Sequence, residues 1–447
     1  MSEKKPISAF KRIAIVIGII LLILIIIFGA FLITFIINEK NNCLCSFADN
    51  SLCTDKDIKK LSSYGDGTLE NPYVIDNSTF DFVCIGGWYS RITVHFIIKN
   101  CTFTNGLEIT QVNNFVIQNC SFFGEDNYPD LEYCWLEYCT GFIIQQCNFL
   151  DVKLYIGGSR FTIEDNKFSS EEDCIFIESS DEFEIKDNIF SDGLVDLWHC
   201  TNVFVENNLF ESTVFLGSQK GLSLYDVKSL TLKHNSFEVG GVNLIPDTSW
   251  DTYHGRIFNE FINNTIDNQT ILLIYNESNK IVTEIFGQLI LLNCTNILIS
   301  NHSLTEVNAG IIISDSSNCT IVKNNFTRCF NALNIYYSTN CSIYNNSIIN
   351  SYEIGMFLIS SDYSIVRFNQ IQNSTSFGLY LWYSSNNQIN YNNFLNNSII
   401  HQAEDYDGED NNWNYNFWND WIGMGTYSIK GTTDSYDYFP LSSPVDL

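Results

Sequence analysis

Proline is nearly absent from this 447-residue chain, with six in all, and methionine is scarcer still, with three. No stretch beyond residue 40 shows a 3.6-residue apolar period of helical length, so a helical bundle is excluded. Basic side chains are short: 23 Lys and Arg stand against 51 Asp and Glu, a formal net charge of −28. With no basic stripe to neutralise phosphates, nucleic acid is excluded as a partner. Histidine is limited to six scattered residues and no cysteines stand at zinc-ribbon spacing, so the sequence offers no metal site of that kind. No cofactor is implied. Ca²⁺ is the one ion kept in view, through "DYDGED" (405–410), which lacks the twelve-residue calcium-loop frame.

What is present points the other way. Hydrophobic residues make up 45% of the chain and aromatic residues 15%, enough for a large core. Ile, Phe, Tyr, Asn and Ser are abundant, a composition of strands and turns. Residues 13–37, "IAIVIGIILLILIIIFGAFLITFII", carry no charge and no proline. At 1.5 Å per residue they reach about 37 Å as a helix, enough to cross a bilayer. Lys4, Lys5, Lys11 and Arg12 precede them and only Lys40 lies just beyond. The positive-inside rule therefore predicts a single-pass plasma-membrane protein, with a cytoplasmic N-terminus and everything after Ile37 outside. The outer part would hold 19 basic and 50 acidic side chains and all fifteen cysteines. An external setting permits disulfides, expected near the start among Cys43, Cys45, Cys53 and Cys84, and the odd count leaves a thiol over.

A phrase of about five residues ending in an apolar side chain recurs: "KNCTF" (99–103), "QNCSF" (118–122), "QQCNF" (145–149), "EDNKF" (164–168) and onward. Its closing residues are Phe103, Phe122, Phe149, Phe168, Phe190, Phe210, Phe237 and Ile266, then Leu304, Phe326, Ile348, Ile371 and Phe394. Most intervals are 19–23 residues, and the 38 between Ile266 and Leu304 leaves room for an extra coil, expected around "QLILLNC" (288–294). Such a period is the signature of a solenoid. Each phrase follows a short alternating run such as "FEIKD", and a second apolar run such as "GIIISDSS" lies mid-repeat. Two or three strands per coil of about 22 residues predict an all-β, right-handed, single-stranded parallel β-helix. About 14 coils at about 4.8 Å each would make a rod of roughly 65 Å.

Two residues before the closing position stands a fixed slot: Cys101, Cys120, Cys147, Asn166, Asn188, Asn208, Asn235, Asn264, His302, Asn324, Asn346, Asn369 and Asn392. Asparagine tolerates a left-handed turn, and its amide can bond the coils above and below as a ladder. Cysteine there fills the column as a small buried residue, and Cys101–Cys120 lie within reach of either a disulfide or a thiol stack. Cys319 and Cys341 form a similar pair on another column. Fourteen N-x-S/T triplets occur, many of them by-products of these turns.

The chain divides accordingly into a cytoplasmic tail (1–12), a transmembrane helix (13–37), a linker and N-terminal cap (38–80), the β-helix (81–400) and a C-terminal cap (401–447). The cap phrase "GDGTLENPYVID" (65–76) looks like the opening of archaeal surface β-helix proteins. Residues 263–301, with an excursion returning at "GQLILLNCTNI", resemble the NosD-type carbohydrate-binding and sugar-hydrolase (CASH) β-helix pattern. Asn416, Trp418, Asp420, Trp421 and Gly423, then Asp437–Leu441, are similar to its closing motif. The resemblance covers residues 60–441 and implies a pectate-lyase-like solenoid with a polysaccharide or surface glycan as partner.

Carbohydrate chemistry on such a scaffold needs paired carboxylates on one face, or an acidic cluster with a cationic base. Asp173 ("EEDCIF") with Asp196 and His199 ("VDLWHC") lie one coil apart and are the candidate catalytic residues. Trp135, Trp250 and Tyr253 sit in aromatic, acidic loops and are candidates to stack on sugar rings. The galacturonase motif set and a lyase arginine signature are absent. The expected role is a glycan-binding or structural surface module. The alternatives are a membrane-anchored lyase or glycoside hydrolase, and an adhesin or spacer for protein partners.

Overall fold

The computed structural model describes residues 50–87, 92–124, 133–170, 172–212, 219–245, 258–398 and 401–447. The apolar segment 13–37 lies outside the described residues, and among those described no helix is long and apolar enough to cross a membrane.

The chain winds into a parallel β-solenoid of about fifteen turns with three strand-bearing faces. One coil shows the plan: Asp173–Glu178 on the first face, Asp181–Lys186 on the second and Ile189–Ser191 on the third. Each strand pairs in parallel with its counterpart one coil on, Leu194–Trp198, Thr201–Glu206 and Leu209–Glu211. Alternation turns every second side chain inward, so Val203 and Val205 are buried beneath the exposed Phe204.

The recurring phenylalanines stack inside the third face. Phe122 and Phe149 lie 4.5 Å apart with rings 1° from parallel, and Phe149 and Phe168 are also 4.5 Å apart. Beside them the fixed slot forms a hydrogen-bonded ladder. Asn188 Oδ1 accepts the backbone N–H and the side-chain amide of Asn166, and Asn208 Oδ1 does the same for Asn188, each at 3.0 Å. The left-handed residue is not the ladder residue, as the sequence suggested, but the one before it: Asp165, Asp187 and Asn207 have φ of 56–57°. The reason is directional. The ladder side chain must point inward to reach its neighbours, and the left-handed residue before it reverses the chain with its own side chain in solvent. In the early coils Cys101, Cys120 and Cys147 are free thiols, each donating to the carbonyl two residues back at 3.2–3.3 Å. The sulfur thus repeats one bond of the asparagine amide, as in Asn188 Nδ2 to the Lys186 carbonyl at 2.9 Å.

Further ladders of small polar residues run up the later coils. Cys294, Ser316, Ser338, Ser361 and Ser384 are linked in succession, each backbone N–H donating to the next hydroxyl. Cys341 passes to Ser364, which passes to Asn387.

The irregular interval between Ile266 and Leu304 is a seam. After Thr265–Ile266 the chain reverses and Gln269–Tyr275 pairs antiparallel with it. Gln269–Tyr275 and Ser278–Val282 then underlie Gln288–Leu292 and Thr295–Ser300. The extra half-coil therefore precedes "QLILLNC" instead of containing it, because residues 288–294 are themselves a regular first-face strand and turn. An open cleft of about 310 Å³ lies at the seam, lined by Phe258, Phe261, Leu272, Leu273 and Tyr275 among others.

At the N-terminal end a seven-residue helix, Asp55–Leu61, buries Ile58 over the first coil, an element the apolar periodicity did not reveal. Its start is fixed by a capping box between Thr54 and Asp57. Cys53 and Cys84 are both disulfide-bonded, while Cys43 and Cys45 lie outside the described residues. At the other end Trp413 and Trp418 are fully buried.

Candidate functional site

The first face carries the functional candidates because parallel stacking in register turns one outward position per coil into a column. Counted along that column, Glu108, Trp135, Tyr155, Phe176, Asp196 and Ser223 are successive partners. Two residues further along each strand run Glu137, then Glu178, Trp198 and Tyr225. Inward-facing Leu, Ile and Val hold the two columns rigidly from behind.

The result is a continuous aromatic strip edged with acids. Trp135 and Tyr155 stack at 3.9 Å, Tyr155 and Phe176 at 5.4 Å, and Trp198 and Tyr225 at 4.6 Å, with Phe176 and Trp198 tilted at 5.7 Å. All five rings are half-buried. Their polar edges are oriented by the acids: Trp135 Nε1 donates to Glu137 at 3.2 Å, the Tyr155 hydroxyl to Glu178 at 3.0 Å and Trp198 Nε1 to Asp196 at 2.7 Å. Burial, with the Glu178 charge beside it, pushes the Tyr155 hydroxyl up to about 12, so it is a firm donor at neutral pH.

Asp173 and Asp196 share this face, and their environments differ. Asp173 is ion-paired with Lys153. Burial raises Asp196 above the usual carboxylate range, and the Trp198 and Ser223 side chains offset only part of it. Its Oδ1 is buried and makes no hydrogen bond. Burial also raises Glu108, with the Glu137 charge adding to it. His199 stands at the edge of the strip, exposed, its ring edge-on to Tyr225 at 5.1 Å and its Nδ1 3.2 Å from Asp226.

The structure thus brings Trp135, Asp173, Asp196 and His199 to one face of four consecutive coils. Trp250 and Tyr253 lie outside the described residues. The other rings, Tyr155, Phe176, Trp198 and Tyr225, were not singled out from the sequence. A count of 13 or 14 residues back from Phe149, Phe168 and Phe190 reaches Trp135, Tyr155 and Phe176 in turn, which is the signal that marks the column.

Among the described residues no group of three or more His, Cys, Asp or Glu side chains converges as metal ligands. In "DYDGED" the Asp405 carboxylate is already engaged inside the C-terminal cap by Trp413 Nε1 at 3.0 Å and the Ser435 hydroxyl at 2.7 Å.

The described pattern of right-handed β-helix regions matches residues 61–193, 133–286 and 288–419. No curated protein matches the chain. Among solved structures, the periplasmic alginate epimerase AlgG is similar at 12% identity and a TM-score of 0.30, over 82% of this chain and 84% of that one. The A-module of an Azotobacter vinelandii mannuronan C-5 epimerase is similar at 12% identity and a TM-score of 0.25, over 82% and 99%. A Thermotoga maritima exopolygalacturonase is similar at 9% identity and a TM-score of 0.25, over 82% and 93%.

Proposed function

The chain belongs to the family of right-handed β-helix proteins, an architecture that leaves the ligand open, and we propose from its own surface that it binds glycans along the first face. The observation that carries this is the ring column Trp135–Tyr155–Phe176–Trp198–Tyr225 with a carboxylate on the edge of three of its members. The stacked rings turn their outer edges to solvent as one apolar strip, and the carboxylates beside it can accept sugar hydroxyls, so the surface suits an extended saccharide lying along it. Glu108, Glu137, Asp173, Glu178 and Asp196 make the strip acidic, and Lys153 is already paired with Asp173. Coulombic repulsion therefore favours neutral or amino-sugar chains over uronates.

We place the solenoid on the outer side of a membrane, anchored by residues 13–37. The apolar length of that segment and the oxidised Cys53 and Cys84 support this reading. The closing and excursion motifs favour the NosD-type subgroup within the family.

Immobilised hexasaccharides of three charges test the assignment: cellohexaose, a fully deacetylated chitosan hexamer and a mannuronan hexamer, each presented to the full chain in detergent, with and without Ca²⁺. Retention on the neutral or cationic chain, weakened by Trp135→Ala by about tenfold, is expected. Indifference to all three would remove the proposal, and retention on mannuronan alone would reverse its charge argument.

One observation favours hydrolysis as a second reading. Asp173 is ion-paired with Lys153 on the same face as Asp196, whose pKa burial raises, an arrangement of two carboxyl groups suited to acid–base work. Cleavage of a retained oligosaccharide, abolished by Asp173→Asn and by Asp196→Asn, would replace binding with catalysis.

A further inference from the structure

The fourteen N-x-S/T triplets are not spread evenly. Three lie at Asn77, Asn100 and Asn119, eleven lie between Asn263 and Asn396, and none falls between residues 120 and 262. All fourteen asparagines are exposed, and thirteen have the positive φ of a left-handed turn, Asn325 being the exception. The buried ladder asparagines are not among them, because the triplet begins one residue earlier, at the outward corner of the turn. The fold therefore presents these amides to solvent, and the sequence places them in the first coils and in the later half of the solenoid. The stretch without them carries the aromatic strip, from Trp135 to Tyr225.

The same turns exist in the bare stretch and are filled otherwise. The position occupied by Asn100 and Asn119 is taken there by Gln146, Asp165, Asp187 and His234, all with positive φ. Where Asn207 does occur, Leu209 stands in place of the hydroxyl residue. On the turn beside the strip the contrast is one residue deep: His199-Cys200-Thr201 stands where a later coil has Asn293-Cys294-Thr295.

We propose that the exposed turn asparagines of both groups carry N-linked glycans, and that residues 120–262 form an unglycosylated belt that keeps the first face open to its ligand. The donor is a lipid-(pyro)phosphate-linked oligosaccharide. The Asn side-chain nitrogen bonds to C1 of the first sugar, the C1–O bond to phosphate breaks, the lipid phosphate leaves, and the displaced amide proton passes to the transferase base. Neighbouring coils are about 4.8 Å apart, about the width of one pyranose, so stacked acceptors exclude one another. Asn276 and Asn293 are such a pair, hydrogen-bonded side chain to side chain at 3.1 Å, and Asn373 and Asn396 lie one coil apart on another corner. One glycan per pair is expected. The belt rests on the reading of the strip as a binding surface, whereas the coat does not.

Peptide mass spectrometry after N-glycosidase release in ¹⁸O-water, on the full chain from an N-glycosylating host, decides the coat. Modification on at least one residue of each stacked pair supports it, and fourteen unmodified asparagines overturn it. The belt is decided by H199N, which completes an N-C-T triplet at a turn whose left-handed φ of 53° asparagine accepts readily. Glycosylated H199N should bind cellohexaose or the chitosan hexamer at least about tenfold more weakly than the same variant made in cells without N-glycosylation. Equal affinity of the two forms would overturn the belt, as would an H199N chain left unmodified while native N-C-T triplets are modified. If the wild-type chain retains neither sugar, the binding assignment and the belt fall together, and the glycopeptide map still decides the coat.

Discussion

Asp437 Oδ2 accepts the backbone N–H of Asn416 at 2.9 Å, just as Asn416 Oδ1 accepts that of Asn392 at 3.0 Å one coil below. A carboxylate thus ends the asparagine ladder. It closes four donors at once, because Oδ2 also takes Trp418 Nε1 at 2.9 Å and Oδ1 takes the N–H groups of Tyr415 and Phe439, each at 3.0 Å. An internal ladder residue must donate upward as well as accept. The terminal one has no coil to donate to, and an acceptor-only side chain fits that position.

Asp437→Asn should therefore destabilise the cap even though it keeps the shape. Its amide nitrogen would face two N–H donors in a buried site, at a cost of about 2–4 kcal/mol. Hydrogen exchange is the measurement: amides between 412 and 441 should lose protection while those of coils 160–240 keep theirs. Uniform loss of protection across the rod would mean that the cap and body unfold as one unit.

Within the body, the cysteine slots are places where the ladder is incomplete. The Cys120 N–H reaches only the Cys147 sulfur, at 3.4 Å. Cys147→Asn should supply an oxygen acceptor there and continue the ladder down from Asn166, raising stability by about 1 kcal/mol in denaturant titration. Asn208→Ala should act in the opposite sense. It removes an acceptor used by Asn188 and a donor to the Ile185 carbonyl, both buried, and a donor to the part-buried Glu206 carbonyl, for a loss of about 3 kcal/mol. A Cys147→Asn variant less stable than the parent would show that packing volume, not hydrogen bonding, governs this column.

These contrasts mark what could be read from sequence. The repeat, the ladder slot and the stacking Phe were legible because stacking in register forces the same residue type back every coil. Asp173, Asp196, His199 and Trp135 were visible as unusual residue types, but the strip joining them was not. Its rings differ from coil to coil (Trp, Tyr, Phe, Trp, Tyr), since outward positions obey no packing constraint that would repeat one residue. The helix Asp55–Leu61 escaped for a different reason: at seven residues it is too short to display a period, and its start is set by the Thr54–Asp57 capping box. The seam was legible only as a wrong interval, because a chain reversal at Asp267 and Asn268 leaves the apolar pattern on both sides intact.

The eleven free cysteines should behave as core residues in spite of their number. Burial pushes the thiols of Cys139, Cys174 and Cys200 up to about 12, so the reactive thiolate is almost absent near pH 8. Ellman's reagent should find none of the eleven in the native chain and all of them after denaturation. Reduction of the Cys53 and Cys84 disulfides should loosen the N-terminal cap by about 2–4 kcal/mol without exposing the rest. Rapid labelling of several thiols under native conditions would show that the solenoid opens between coils.

Asp196 links the strip to the pH dependence of the fold. Burial raises its folded-state pKa, so proton binding favours the folded chain. The contribution is complete below the ordinary carboxylate value and is lost as pH rises through the raised one. With Oδ1 making no hydrogen bond, Asp196→Asn should stabilise the unliganded protein at pH 7 by about 1 kcal/mol and change it little at pH 4. The same substitution should weaken saccharide retention, because a neutral amide holds Trp198 Nε1, and with it a ring of the strip, less firmly than the carboxylate does. Thermal denaturation at the two pH values, with and without cellohexaose, separates these effects. A variant less stable than the parent at pH 7 would mean that the Asp196 charge is compensated in the free protein, and the reading of its buried Oδ1 as a source of instability would fail.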